Sequence, residues 1–388
     1  MNADATLSPT ILKRGSTDRR PCVLAYHNVM TFGGVARVIV NLLPGLRAEG
    51  FRPVLALNQA EGGLLQFLDP EIEVISLGSG SSTAALPKLA RILKKLKPEI
   101  LFAQTFRNGV VGTLARKLSG TDTKVVACLH NMLSEVSKPG AILGGRIAPL
   151  ACRLVMPMTD AVVAVSQGVA DDFARMARID RARIRVIHNP VITPDFALKA
   201  AAPLDHPWFA QGEPPVVVAV GRLAPQKDFG MLLEAFALLR RRRPCRLVLI
   251  GDGPERAALE AKAKGSEAAA DMALVGFRDN PFPYVRAAGL FALSSRFEGL
   301  PTVLIEALGC GTPVVATDCP GGPAEITEGE RYGRLVPVGD PAAMAAAMDQ
   351  VLGAPRDSDR LLKRAQDFSV AAASRNYAAL FSEVLSVR

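Results

Sequence analysis

Two carboxylates flank an expected helix start in the stretch SSRFEGLPTVLIEALGCGTPVVATDCPGGPAE, residues 294–325. Glu298 stands in a polar, glycine-containing loop, and Glu306 stands inside the apolar run that follows. The run 289–293 before the loop reads as a strand, and 313–317 reads as the next one. Strand, loop, helix and strand in that order place ligands at the carboxyl ends of parallel strands. Gly299, Leu300, Pro301 and Thr302 would open the helix. Free N–H groups at such a start suit an anion such as a diphosphate. Glu306, set among Val303, Leu304, Ile305, Ala307 and Leu308, is expected to be partly enclosed and to need a partner. The plainer alternative is one glutamate favoured by the helix dipole and one solvated glutamate.

Arg222 and Lys227 follow another apolar run, 216–220, in the block GRLAPQKD. A planar guanidinium and a point-charge ammonium in one loop can converge on a doubly charged group. Alternatively they are solvated charges at a helix entry. Gly33 and Gly34 lie between the first apolar run and the first expected helix, where glycine lets the backbone approach a phosphate; a simple turn explains the pair equally. His130 directly follows the strand-like run 125–129, and a lone histidine there also reads as a loop cap.

Short apolar runs at 21–26, 51–57, 73–77, 100–104, 125–129 and 160–165 alternate with helical patterns, as does the half beyond residue 214. This alternation predicts an α/β chain with doubly wound parallel sheets. The expected division is a flexible tail at 1–20, a first domain at 21–195, an inter-domain linker at 196–213 that holds the only tryptophan, and a second domain at 214–372. The segment 86–96 predicts an amphipathic helix bearing Lys88, Arg91, Lys94 and Lys95, with Lys97 just beyond. Such a face is either solvated or laid on a membrane surface.

The length of 388 residues allows two ordinary domains, and the 49% hydrophobic content is globular. No uninterrupted apolar stretch is long enough to span a bilayer, and the N-terminal residues lack the apolar core of a secretory signal. The six cysteines show no C-x-x-C pairing, which predicts buried reduced thiols and a cytoplasmic setting. The net charge of +9 is carried by residues 1–200, while the remainder is close to neutral. No nucleic-acid motif accompanies the charge, so an anionic membrane surface or acidic acceptor fits it better than nucleic acid.

The E-x7-E spacing of Glu298 and Glu306 resembles the signature of retaining glycosyltransferases of the GT-B fold, glycosyltransferase family four. The blocks GRLAPQKD, IGDGP, VGF and the early Gly-Gly are similar to the same family, so the likeness covers most of the chain. It implies two Rossmann-like domains facing a central cleft, with a helix at 373–388 crossing back to the first domain. Arg222 and Lys227 would hold the diphosphate, Glu306 the ribose hydroxyls, and Gly276 and Phe277 the base. Glu298 would contact the donor sugar, and His130 would sit beside the anomeric centre. The loop 320–325 resembles that of members using UDP-hexoses or UDP-N-acetylhexosamines. Pro190 departs from the family, which has glycine after the asparagine at this turn.

The implied reaction is retaining, metal-independent transfer from a nucleotide sugar to a saccharide or lipid-linked acceptor in cell-envelope glycan synthesis. No cofactor is expected beyond the donor as co-substrate, and the setting would be cytoplasmic, peripheral at the inner face of the plasma membrane. Two other readings stay open: a nucleotide-sugar-binding scaffold without turnover, and a nucleotide-sugar epimerase of the same fold. An NAD enzyme is disfavoured because no G-x-G-x-x-G follows the first strand.

Overall fold

Residues 18–138 and 147–387 are described by the computed structural model. Most of the expected tail, residues 1–17, lies outside them. The chain divides into two units, one built from residues up to Pro190 together with Val370 onward, the other from Val191–Ser369.

In the first unit the apolar runs form β1 (Cys22–His27), β2 (Arg52–Leu57), β3 (Glu73–Ser76), β4 (Ile100–Ala103), β5 (Lys124–Leu129), β6 (Ala161–Ala164) and β7 (Ile184–Val186). They pair in parallel in the order β3-β2-β1-β4-β5-β6-β7. Strand side chains alternate between faces, and here both faces are covered. Leu24, Tyr26 and Leu101 join the core under the helices Ser82–Leu96 and Phe106–Ser119. Phe102, one residue on, turns to the opposite face and meets Tyr377 and Phe381 at ring-centroid distances of 5.1 and 5.3 Å. Those rings belong to the terminal helix Val370–Ser386, which packs on the helix Gly34–Ala48. The close approach depends on Gly45, where an added Cβ would overlap the Ser374 hydroxyl.

The basic helix starts at Ser82, a turn before the expected Leu86. Ser81 explains the difference, because its hydroxyl accepts a hydrogen bond from the Ala84 N–H at 3.2 Å. Ser81→Ala is expected to lower stability by about 1 kcal/mol, the usual worth of an N-cap, measured by chemical denaturation. No change would mean that the helix is held by packing alone.

The second unit contains β8 (Val216–Val220), β9 (Arg246–Ile250), β10 (Met272–Gly276), β11 (Leu290–Leu293), β12 (Val314–Thr317) and β13 (Arg334–Val336). These pair in parallel in the order β10-β9-β8-β11-β12-β13. The stretch 196–213, expected as a linker, instead packs within this unit. Phe196 lies 4.5 Å from Phe282 between ring centroids, Phe209 lies 5.7 Å from Tyr284, and the Arg246 guanidinium covers Trp208 at 5.1 Å. Its aromatic residues bury themselves one at a time, without the periodicity that would mark an element. The strand order reverses between β1 and β4 in one unit and between β8 and β11 in the other. Loops at the carboxyl ends of strands diverge at such points and leave a ligand crevice.

Candidate functional site

In the second unit the loops leaving β8, β9 and β10 are laced together. The Gly221 N–H donates to the Ile250 carbonyl at 3.0 Å, Leu223 to Asp252 at 2.9 Å, and Gly251 to Gly276 at 3.0 Å. Gly251 has φ +145° and faces the Gly221 carbonyl so closely that a Cβ would overlap it. This lacing places Gly276 and the half-exposed Phe277 beside the loop that carries Arg222 and Lys227.

Across the β8–β11 crevice, the Lys227 Nζ lies 2.6 Å from Glu298 Oε1. The Ser295 hydroxyl donates to the same oxygen at 2.6 Å, and Gln226 Nε2 donates to the Phe297 carbonyl at 2.9 Å while reaching Glu298 Oε2 at 3.5 Å. Both charged side chains are largely buried, 16% exposed for Lys227 and 8% for Glu298. The backbone around the pair is equally constrained. Ser294 Oγ donates to the Lys227 carbonyl at 2.7 Å, and Thr317 Oγ1 donates to the Ser295 carbonyl at 2.5 Å. Glu298 donates its N–H to the Pro320 carbonyl at 2.9 Å. Gly321, at φ +123°, allows that approach because a Cβ there would overlap the Glu298 carbonyl.

The helix Thr302–Gly309 begins just beyond, preceded by Pro301 without a side-chain cap, and Gly299, Leu300 and Thr302 lie at its N-terminus. Glu306 is half-buried in its second turn. Lys227, Glu298 and this helix start are therefore brought together. Arg222 is not part of the pair: it is exposed at the head of its loop, away from the buried carboxylate that holds Lys227. The buried carboxylate has taken Lys227, because a charge removed from water needs an opposite charge close by.

The first unit places its own residues at the β1–β4 reversal. Gly33 and Gly34 are exposed where the helix Gly34–Ala48 begins. Gly33 is in extended conformation, and Cβ atoms added to either residue would meet almost nothing. Neither strain nor packing calls for glycine there. His130 is buried just after β5, with Nε2 3.4 Å from Gln104 Oε1. Burial pushes its imidazole down to about 3, and positive charge on His27 adds to the effect. Burial alone pushes His27 down to about 4, and His27 Nδ1 has no hydrogen-bond partner. Asn108 Nδ2 donates to the Tyr26 carbonyl at 3.2 Å, leaving its own Oδ1 unpartnered. Both atoms are buried near the β1–β4 reversal without a partner in the protein.

Residues 32–194 match the family model described as Glycosyltransferase Family 4, and residues 214–354 match the model described as Glycosyl transferases group 1. The chain belongs to this family. It is a glycosyltransferase of the GT-B fold.

Among curated relatives, the N-acetylgalactosamine-N,N'-diacetylbacillosaminyl-diphospho-undecaprenol 4-alpha-N-acetylgalactosaminyltransferase of Campylobacter jejuni is 25% identical, over 85% of this chain and 89% of its own. The lipopolysaccharide 1,6-galactosyltransferase of Escherichia coli is also 25% identical, over 84% and 87%. Among solved structures, Anabaena HepE in complex with UDP superposes with a TM-score of 0.75, at 20% identity and over 94% of this chain and all of that one.

Several residues that the structure places around these candidate residues escaped the sequence reading. His27, Gln104 and Ser295 each stand within two residues of the end of an apolar strand run, and that position was the available signal. Gln226 and Asn108 carried none. The cysteines are all unpaired and buried, and burial pushes Cys128, Cys310 and Cys319 up to about 12, which makes them poor nucleophiles.

Proposed function

We propose that this glycosyltransferase moves a hexose or N-acetylhexosamine from a UDP-sugar to a saccharide or lipid-linked acceptor in cell-envelope glycan synthesis, with retention of configuration and without a metal. The observation that carries the proposal is the Lys227–Glu298 pair at the β8–β11 crevice, directly before an uncapped helix start. The bond from the anomeric carbon to the diphosphate oxygen breaks, and a bond to the acceptor oxygen forms on the same face. The acceptor proton passes to the departing phosphate. Negative charge grows on that phosphate, and the ammonium of Lys227, the exposed guanidinium of Arg222 and the first-turn N–H groups would stabilise it. Glu298 would give up part of its hold on Lys227 as the phosphate arrives, freeing an oxygen for a sugar hydroxyl. Glu306 would accept the ribose hydroxyls, with the base near Gly276 and Phe277. Gly33 and Gly34 would let the backbone approach a donor phosphate, and His130 would act beside the anomeric centre as a neutral imidazole.

HepE binds UDP and UDP-glucose, and the Campylobacter relative's acceptor is named as a diphospho-undecaprenol saccharide; both support the choice of donor and acceptor. The site would be cytoplasmic, where nucleotide sugars are available. The test is a thermal-shift panel of UDP, GDP and ADP on the wild type and on Arg222→Ala. At a hundred times its dissociation constant a ligand adds about 2.7 kcal/mol of stability. A shift with UDP that is lost in Arg222→Ala is expected. No shift with any nucleotide would defeat the donor assignment. Incubation with UDP-sugar alone should give free sugar or no product, and an isomerised nucleotide sugar would instead point to epimerase chemistry.

A further inference from the structure

Three helices lie side by side on one face of the first unit's sheet, Ser82–Leu96 beside Phe106–Ser119, and the latter beside Ile147–Val155. All three contain Lys or Arg, and none contains an Asp or a Glu. Helices on a soluble surface normally interleave the two signs, which gains pairing energy and avoids self-repulsion. Elsewhere in this chain the surface does so, with ion pairs such as Arg240–Asp271 and Arg256–Glu260. Among the described residues of the three-helix face only Arg116, on the middle helix, pairs with a carboxylate, Asp160 at 2.7 Å, whereas Arg91, Lys94, Lys95, Lys117 and Arg153 have none within ion-pair distance among the described residues.

The same face exposes leucine at helical spacing. Leu114 and Leu118 are 36% and 61% exposed on the middle helix, and Leu150 and Leu154 are 56% and 65% exposed on its neighbour. Isolated exposed leucines are ordinary. Two i,i+4 pairs on adjacent helices are a stripe, since residues four apart stack on one helix face. An apolar stripe beside unpaired cations is the composition of an interfacial surface.

We infer that this face docks the protein on an anionic bilayer. The leucines would enter the boundary between headgroups and acyl chains, and the cations of the basic helix would sit among anionic headgroups. No helix among the described residues is long and apolar enough to cross a membrane, so the contact would be peripheral. The inference deepens the proposed function by naming the surface on which a lipid-linked acceptor would be met, but its chemistry is independent of the donor. A protein partner would need to be strongly acidic and apolar at once, whereas an anionic bilayer offers both properties everywhere.

The test is co-sedimentation of the full chain with vesicles of phosphatidylcholine alone and with phosphatidylglycerol added, at low and high salt. Binding is expected only with the anionic lipid, weakening as salt screens the cations. Lys94→Glu with Lys95→Glu should lower the partition coefficient roughly tenfold or more. Leu118→Ser with Leu154→Ser should also weaken binding, while the thermal shift with UDP stays as in the wild type, so the variants are folded and the donor site is read separately. Absence of binding to anionic vesicles would overturn the inference. So would binding that ignores both substitutions. A wild-type dimer in light scattering that the leucine variants dissociate would assign the face to a second copy instead.

Discussion

Lys227→Met is expected to remove transfer activity and to destabilise the second unit, whereas Arg222→Ala removes donor binding and leaves the fold intact. The difference lies in burial. Arg222 is exposed, and its loss uncovers nothing. Lys227 is the only cation within ion-pair distance of Glu298 among the described residues, and Glu298 is 8% exposed. Without the ammonium the carboxylate keeps the Ser295 hydroxyl but loses the charge that compensates its desolvation. Breaking a buried pair from one side costs about 3–5 kcal/mol, readable in denaturant melts of the full chain. Loss of one preorganised charge at a departing phosphate costs on the order of 10² to 10³ in kcat. The combined variant Lys227→Met with Glu298→Leu should recover much of the stability, because no buried charge is left, and none of the activity. Near-normal activity in Lys227→Met would show that the pair is only structural.

Acid is expected to loosen the first unit well before its carboxylates titrate. His27 and His130 are held neutral in the fold, at about 4 and about 3, against 6.5 in the unfolded chain. Below 6.5 the unfolded state takes up protons that the folded state refuses, so stability falls as pH falls. The loss starts at the unfolded value and ends near the folded ones. Each histidine contributes a slope of about 1.4 kcal/mol per pH unit over that window. Hydrogen exchange in β1 and β5, followed from pH 6.5 to 5, reads this locally and avoids treating two units as one transition. Exchange corrected for its intrinsic pH dependence should accelerate as pH falls, and His27→Asn should reduce the slope by about half. A flat profile would mean that the imidazoles reach water in the native state.

Much of the fold was readable because fully buried parallel strands are short continuous apolar runs. Val216–Val220 and Val125–Leu129 could be placed within a residue for that reason. β13 and the first residues of β10 were missed because they are only partly buried, and their sequence carries a correspondingly weaker signal. The linker reading failed at Phe196, Trp208 and Phe209, since single rings filling irregular gaps leave no period. The first-unit site was half legible. His130 stood out by its place after a strand, yet its contact with Gln104 joins residues from two different strands and has no local trace.

The sequence by itself determined that the chain alternates strand and helix in two sheets, that its excess positive charge lies in the first half, and that the loops after β8 and β11 carry cations and carboxylates. Periodicity, strand burial and loop composition are local properties, and each leaves its mark on neighbouring residues. Only the tertiary structure decided that Lys227 is taken by Glu298 while Arg222 stays exposed. It likewise revealed that His27 shares the crevice of His130, and that the exposed leucines of two helices line up beside an acid-free basic helix. Those outcomes depend on which charge is desolvated and which helices become neighbours, and both follow from packing between segments far apart in the chain.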